Sequence, residues 1–151
     1  MKLRSIPLIV RIVLACMVLS VFGGFIVPAG HAASEVMVVA NDSVPVKSLS
    51  RDAVQEIFLG RKTRWSDGQK ITLATLKEGD DHSDFLRMYV GKTPQQFKNY
   101  WKSQVFTGRG KAPEAFTSPD ELAEFVTNTP GAIGYLPQRA YQNQLKSLMI
   151  E

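Results

Sequence analysis

The sequence predicts an α/β domain with a small central sheet and about four flanking helices, preceded by an export segment. Two observations predict this fold. Short apolar runs typical of strands alternate with segments whose apolar residues recur every three or four positions, as in helices. The 151-residue chain, less its export segment, is also long enough for one domain with one core.

The first 32 residues have the three parts of a bacterial secretory signal peptide. Three basic residues lie within the first 11 positions, the stretch 12–27 is apolar and uncharged, and Gly30 and Ala32 suit the small-residue requirement of signal peptidase. The apolar stretch is shorter than the roughly 20 residues of a membrane-spanning helix. We therefore expect cleavage after Ala32 and a periplasmic or secreted domain at 33–151, with an uncleaved anchor as the alternative.

The only cysteine, Cys16, lies inside the export segment. Lipidation there is a further alternative, although the apolar run continues well past it. Residues 33–151 contain no cysteine, which excludes disulfides, thiol nucleophiles and cysteine-bound metals in the mature domain. They carry 15 basic and 14 acidic residues, a net charge of +1 that does not suggest nucleic-acid binding.

Most predicted elements of the mature domain have a recognisable start or end. Ser50 is expected to cap a helix that ends near Gly60, because its hydroxyl can accept from free amides of the first turn. Thr93-Pro94 and Ser118-Pro119 open helices in the same way. The other predicted elements are strands at 35–40, 70–76 and 132–136, a loop at 77–82, a helix from Ser83 to Gly91, a basic loop at 107–111, and a tail at 145–150 that can add a strand. Phe97, Tyr100, Trp101 and Val105 are expected to share a buried helix face, and the sheet to have three or four strands.

Three motifs occur in an order and spacing typical of one family. They are Ile57-Phe58-Leu59-Gly60 with Trp65-Ser66-Asp67-Gly68, Phe97-Lys98-Asn99-Tyr100-Trp101 with Phe106-Thr107-Gly108, and Thr129-Pro130-Gly131-Ala132-Ile133-Gly134-Tyr135-Leu136. Over 36–136 the chain resembles the substrate-binding proteins of bacterial phosphate ABC transporters. The resemblance implies a type 2 periplasmic-binding-protein-like domain, no enzymatic activity, no cofactor, a small anion such as phosphate as ligand, and an ABC permease as partner.

The sequence also departs from that family. Full members are about twice as long and close two lobes around the anion, which predicts a shortened, single-lobe member here. Their Ser-Gly-Thr helix start is missing from the corresponding stretch 76–85, and three aspartates stand there instead. The resemblance to the family therefore predicts the fold of this chain better than it predicts the ligand.

Two loops are the candidate anion sites. The start of a helix at Ser83 would offer free amides, with donors from Lys77 and His82. The loop with Thr107, Gly108, Arg109 and Lys111 offers glycine amides and two cations. Against an anion, four acidic residues surround the first site and can instead stabilise the helix end: Glu78, Asp80, Asp81 and Asp84. The second loop can equally be a solvated connection.

The sequence lacks the patterns typical of catalytic, nucleotide-binding and metal sites. No Ser-His-Asp order with a nucleophile elbow is visible, so no catalytic residue is predicted. The Gly60-Arg61-Lys62-Thr63 segment lacks the upstream glycine of a P-loop. His82 near three aspartates does not fit calcium-loop spacing, so no metal site is predicted and His82 is expected to be a surface residue.

Two functions remain open. One is non-covalent binding of a small anion such as phosphate. The other is an envelope protein-interaction module that kept the fold and lost the anion site; the acidic stretch at 78–84 favours it, whereas the family resemblance favours the anion.

Overall fold

The computed structural model describes residues 35–151; the predicted export segment and its cleavage position lie outside the described residues. The described chain forms seven strands and four α-helices. In order these are β1 (Val36–Ala40), β2 (Ser48–Leu49), α1 (Arg51–Phe58), β3 (Thr72–Leu76), α2 (Asp80–Phe85) with a π-helical turn (Leu86–Val90), α3 (Pro94–Phe106), β4 (Glu114–Phe116), α4 (Pro119–Asn128), β5 (Ala132–Pro137), a 3-10 turn (Gln138–Ala140), β6 (Lys146–Ser147) and β7 (Met149–Ile150).

The main sheet has five strands in the order β4-β3-β5-β1-β6. Strand β3 runs parallel to both β4 and β5, whereas β1 is antiparallel to β5 and to β6. Strands β2 and β7 form a separate parallel pair. This is the predicted α/β fold with a central sheet and four helices. The predicted three or four strands were too few, because β4 and β6 have only three and two residues and show no measurable periodicity.

The core is built on β5, where every residue from Ala132 to Pro137 is buried. Its Tyr135 ring stacks on Phe85 with centroids 3.8 Å apart, and Phe58 meets Phe85 edge-on at 4.7 Å. Leu122 and Val126 of α4 are fully buried in the same cluster. Burying these large apolar side chains is the main force that holds the helices on the sheet.

The predicted helix caps are confirmed. Ser50 Oγ accepts from the amide of Ala53 at 3.1 Å. Thr93 and Ser118 each form a capping box with the residue three positions on, and each is followed by proline.

The predicted helix start at Ser83 is wrong. Helix α2 begins at Asp80, because Gly79 adopts a φ of 106° and turns the chain into the helix one turn earlier. The Ser83 amide donates to Gly79 O at 3.0 Å and is therefore already inside the helical ladder.

One other boundary and the exposure of one residue differ from prediction. Strand β3 begins at Thr72 rather than at 70, because the amide of Ile71 donates to Thr63 O and ties that part of the chain to a local turn. Val105 is 49% exposed, although it was expected on the buried face of α3, because it borders an open groove. Within residues 35–151, no helix is both long and apolar enough to cross a membrane.

Candidate functional site

Two cavities share Trp101 as part of their lining. The larger, about 830 Å³, lies between α3 and the carboxyl end of β3 and is called the α3 groove here. The smaller, about 240 Å³, lies at the amino end of β3 and is called the basic pocket. The groove is lined by Thr75, Leu76, Lys77, Glu78, His82, Pro94, Phe97, Lys98, Trp101, Lys102, Val105, Phe106, Ala112, Pro113 and Ala115.

His82 lies at the inner wall of the α3 groove and is only 5% exposed, so its predicted surface position is wrong. Its Nδ1 is 2.5 Å from the hydroxyl oxygen of Tyr135, which also accepts from the amide of Leu76 at 3.0 Å. We assign the tyrosine hydrogen to His82 Nδ1, because the described residues place no other acceptor for it. The neutral imidazole then carries its hydrogen on Nε2, which has no hydrogen-bond partner among the described residues.

Burial keeps this histidine–tyrosine pair uncharged. Loss of hydration lowers the pKa of His82 and raises the pKa of Tyr135, in each case disfavouring the charged form. The amide hydrogen bond from Leu76 acts in the opposite direction on Tyr135 but is the smaller effect. At neutral pH the His82 imidazole is therefore uncharged and presents an N–H donor to the groove.

Two of the four acidic residues near His82 are paired with arginines. Arg139 donates to both oxygens of Asp81, at 2.6 and 3.3 Å, and Arg87 pairs with Asp84. Of the four, Glu78 alone is in the groove lining. The carboxylates of this stretch should therefore repel an anion in the groove less strongly than the sequence suggests. Arg139 lies in the turn after β5, and no local pattern links it to Asp81.

Ser83 does not line the α3 groove. Its hydroxyl donates to Gly79 O at 3.0 Å, the same carbonyl that receives its amide. It borders a separate depression with Arg87, Lys92 and Thr93. The helix-start amides predicted at Ser83 are consequently not available to a ligand there.

Residues 107–111 divide between two roles. Thr107 Oγ1 donates to Ser103 O at 2.8 Å and the Gly108 amide donates to Val105 O at 3.0 Å, so both residues finish α3. Arg109 and Lys111 line the basic pocket, where Lys111 pairs with Glu114 at 2.7 Å. The structure thus brings Lys77 and His82 together in one cavity and Arg109 and Lys111 together in another, and it does not unite the two predicted loops.

The rest of the α3 groove is apolar with a basic rim. Phe97 and Trp101 form buried parts of its wall, while Phe106 is 92% exposed at its edge. The lining contains three lysines and a single acidic residue: Lys77, Lys98, Lys102 and Glu78. In the described part of the chain, no group of three or more histidine, cysteine or acidic side chains is placed to hold a metal ion.

A family model described as a PBP superfamily domain matches residues 26–149. The chain belongs to the PBP superfamily. No curated protein matches the sequence of this PBP domain significantly. The family comprises solute-binding proteins, which agrees with the resemblance found in the sequence motifs.

Solved structures with the same fold are phosphate-binding proteins by description. A putative phosphate ABC transporter substrate-binding protein with bound phosphate from Clostridium perfringens matches at 15% identity and a TM-score of 0.61, over 76% of this chain and 44% of that one. PstS from Borrelia burgdorferi matches at 15% identity and 0.59, over 77% and 47%. An ABC-type phosphate transport receptor from Vibrio cholerae matches at 18% and 0.52, over 76% and 45%.

The PBP domain therefore spans less than half the length of each of these proteins. At identities of 15–18%, the likeness concerns the fold. The shared fold is the predicted periplasmic-binding-protein-like fold.

Proposed function

We propose that this PBP domain is an exported binding protein that holds a small anion such as phosphate in the α3 groove, without catalysing a reaction on it. The observation that carries the proposal is His82: a buried imidazole, fixed by Tyr135, that presents an unpartnered Nε2–H donor at the groove wall. A donor at the groove wall that no protein group engages can form a charge-assisted hydrogen bond with an anion, which favours binding.

The charge around the groove supports an anionic ligand. Lys77, Lys98 and Lys102 outnumber Glu78, and the ammonium of Lys77 makes only a 3.4 Å contact with Thr117 Oγ1. Lysine side chains on flexible stems can move to meet a phosphate oxygen at small cost.

The export segment and the fold support a proposal for the cellular setting. We propose that cleavage after Ala32 releases residues 33–151 into the periplasm, where an ABC permease is the partner. The phosphate-transport descriptions of proteins with the same fold support this setting.

Titration of the full chain with phosphate and with sulfate tests the anion proposal. A ligand that binds only the folded state raises the melting temperature with its concentration. Phosphate should do so at millimolar levels, and Lys77→Gln should weaken the effect severalfold. Lys47→Gln, at an exposed lysine outside both cavities, is the matched control. No stabilisation and no heat of binding with a folded wild-type chain would remove phosphate as the ligand.

An envelope protein-interaction module is the second candidate, and the exposed apolar edge of the groove favours it. Phe106 is 92% exposed and Val105 is 49% exposed, next to the buried rings of Phe97 and Trp101. An apolar groove with such an edge is typical of a surface that another protein covers.

Recovery of partners from envelope extracts tests this second candidate. The Phe106→Ser chain should fold with unchanged stability and lose a partner that the wild-type chain retains. Met149→Ser removes a comparably exposed apolar side chain elsewhere and should retain that partner. Equal recovery by the two variants would contradict docking at Phe106.

A further inference from the structure

The basic pocket combines an apolar floor with a surplus of cations. Its floor includes the buried side chains of Ile57, Leu59, Ile71 and Trp101. The lining contains four basic residues and one acidic residue: Lys62, Lys70, Arg109, Lys111 and Glu114. Since Lys111 is already paired with Glu114, three cations are left without an ion pair within residues 35–151.

The Trp101 wall of this pocket is held in place by the backbone around it. The indole Nε1 donates to Phe58 O at 3.2 Å. Gly60 and Gly110 approach the far edge of the ring so closely that a Cβ would lie 2.7 Å and 3.2 Å from it. A side chain at Gly60 would force the ring to move, and one at Gly110 would press on it, so the apolar wall is a packed part of the fold rather than a surface side chain.

We propose that the basic pocket binds a small organic anion that carries an apolar body, of the aromatic monocarboxylate class. The apolar body covers the floor, and its carboxylate meets the guanidinium of Arg109, which can donate two parallel hydrogen bonds. Inorganic phosphate would satisfy the cations but leave the apolar floor uncovered. The cavity of about 240 Å³ is smaller than the usual ligand site, which favours a compact ligand.

This site goes beyond the proposed function. The basic pocket includes residues 70–73 at the amino end of β3, whereas the α3 groove includes residues 75–78 at its carboxyl end. His82 and Lys77 belong to the groove and are absent from the lining of the basic pocket. The two sites can therefore succeed or fail independently.

Calorimetric titration of the full chain with benzoate tests the proposal, with benzyl alcohol and inorganic phosphate as probes that lack the charge or the apolar body. Benzoate should bind saturably and at least tenfold more tightly than benzyl alcohol, and phosphate should not displace it at equal concentration. Arg109→Gln should weaken benzoate about tenfold, in the range of a hydrogen bond to a charged group. Arg61→Gln, at an exposed arginine outside the pocket lining, should not.

Several outcomes would overturn the assignment. They are absence of saturable benzoate binding by a folded chain, equal affinity for benzyl alcohol, displacement by equimolar phosphate, and equal losses in Arg109→Gln and Arg61→Gln. Lys77→Gln separates the two sites: it should weaken phosphate as proposed above and leave benzoate unchanged. A matching loss of benzoate would move that ligand to the α3 groove and contradict the basic pocket.

Discussion

The hydroxyl of Tyr135 joins two parts of the chain that are far apart in sequence. It accepts from the amide of Leu76 at the end of β3 and contacts Nδ1 of His82 in α2. All three groups are buried. Removing the hydroxyl leaves a backbone donor and an imidazole nitrogen without their partner, and buried unpaired polar groups are costly.

We expect Tyr135→Phe to lower the free energy of unfolding by about 1–3 kcal/mol, since it keeps the stacked ring and removes only this hydroxyl. Urea denaturation measures the change. Tyr89→Phe is the matched control, because the Tyr89 hydroxyl has no hydrogen-bond partner among the described residues. Equal effects of the two substitutions would show that the hydroxyl of Tyr135 contributes nothing specific.

His82 also predicts how stability depends on pH. Burial lowers its pKa below the ordinary value of 6.5, so the unfolded chain binds the proton more readily than the folded chain. Stability should therefore be complete above about pH 6.5 and fall as the pH drops from there through the folded-state pKa. The urea midpoint measured from pH 8 to pH 5 should show this fall.

Substitution of His82 separates its contribution from those of other titrating groups. His82→Gln should flatten the pH dependence between pH 6.5 and 5, while Lys47→Gln, at an exposed lysine outside both cavities, should keep the wild-type slope. A His82→Gln chain with the full wild-type slope would assign the effect to other residues.

Single residues of the site could be predicted only where the evidence was local. The chemical type of His82, Lys77 and Arg109 is visible in the sequence. The burial of His82 is not, because it depends on Tyr135, 53 residues later and in another element. The pairing of Asp81 with Arg139 escaped prediction for the same reason.

At the scale of elements, the turn between α4 and β5 is constrained by close contacts and hydrogen bonds at Gly131. Gly131 has a φ of 74°, and a Cβ there would lie 2.4 Å from Lys70 O. Its carbonyl accepts from Trp65 Nε1 at 3.0 Å, and its amide donates to Ser43 Oγ at 3.0 Å. This one glycine therefore fixes the entry to the central strand β5 and the position of the Trp65 turn.

We expect Gly131→Ala to destabilise the fold by about 2–4 kcal/mol, from backbone strain together with a clash against main chain that cannot move aside. Gly108→Ala is the matched control. Gly108 has a similar φ of 68° but no atom within 4 Å of its added Cβ, so strain alone should cost about 1 kcal/mol. Similar losses at both positions in thermal or urea unfolding would exclude the clash.

Elements with local signals were predicted well, and elements set by tertiary contacts were not. Ser50, Thr93 and Ser118 cap their helices with hydrogen bonds that span three residues, so the sequence alone contains the evidence. Strand β4 exists because Glu114–Phe116 pairs with β3, and nothing in its three residues requires a strand. The start of α2 depends on the positive φ of Gly79, which glycine permits but does not demand.

At the scale of the whole molecule, the C-terminal segment connects the two sheets, because it contributes a strand to each of them. Strand β6 covers the edge of β1, and β7 pairs with β2 immediately afterwards. Between them Leu148 is 4% exposed, and its amide donates to Val38 O at 3.0 Å. A covered edge also protects β1 from pairing with other chains.

Leu148→Ala should therefore cost about 2–5 kcal/mol, the range for truncating a buried leucine. Met149→Ala, at the next position but 67% exposed, should change stability by less than about 0.5 kcal/mol. Urea denaturation of the two variants gives the comparison. A small loss for Leu148→Ala would mean that the C-terminal segment is only loosely attached to the sheet.

The overall fold could be predicted because strand and helix patterns alternate along the sequence and three motifs match a known family. The arrangement of the candidate site could not. Ser83 and Arg109 both follow an apolar run and a glycine-containing loop, yet only the packing of α3 decides that they border different cavities. Cavities are produced by the spaces between elements, and sequence patterns describe the elements alone.

Trp101 has a further consequence because the same residue lines both the α3 groove and the basic pocket. Its indole donates to Phe58 O, and Gly60 and Gly110 pack against the edge of the ring, so an occupant of one cavity leaves the wall of the other in place. The coupling free energy between a ligand in the groove and a ligand in the pocket should therefore be close to zero, and each ligand should bind with the same affinity whether the other cavity is full or empty.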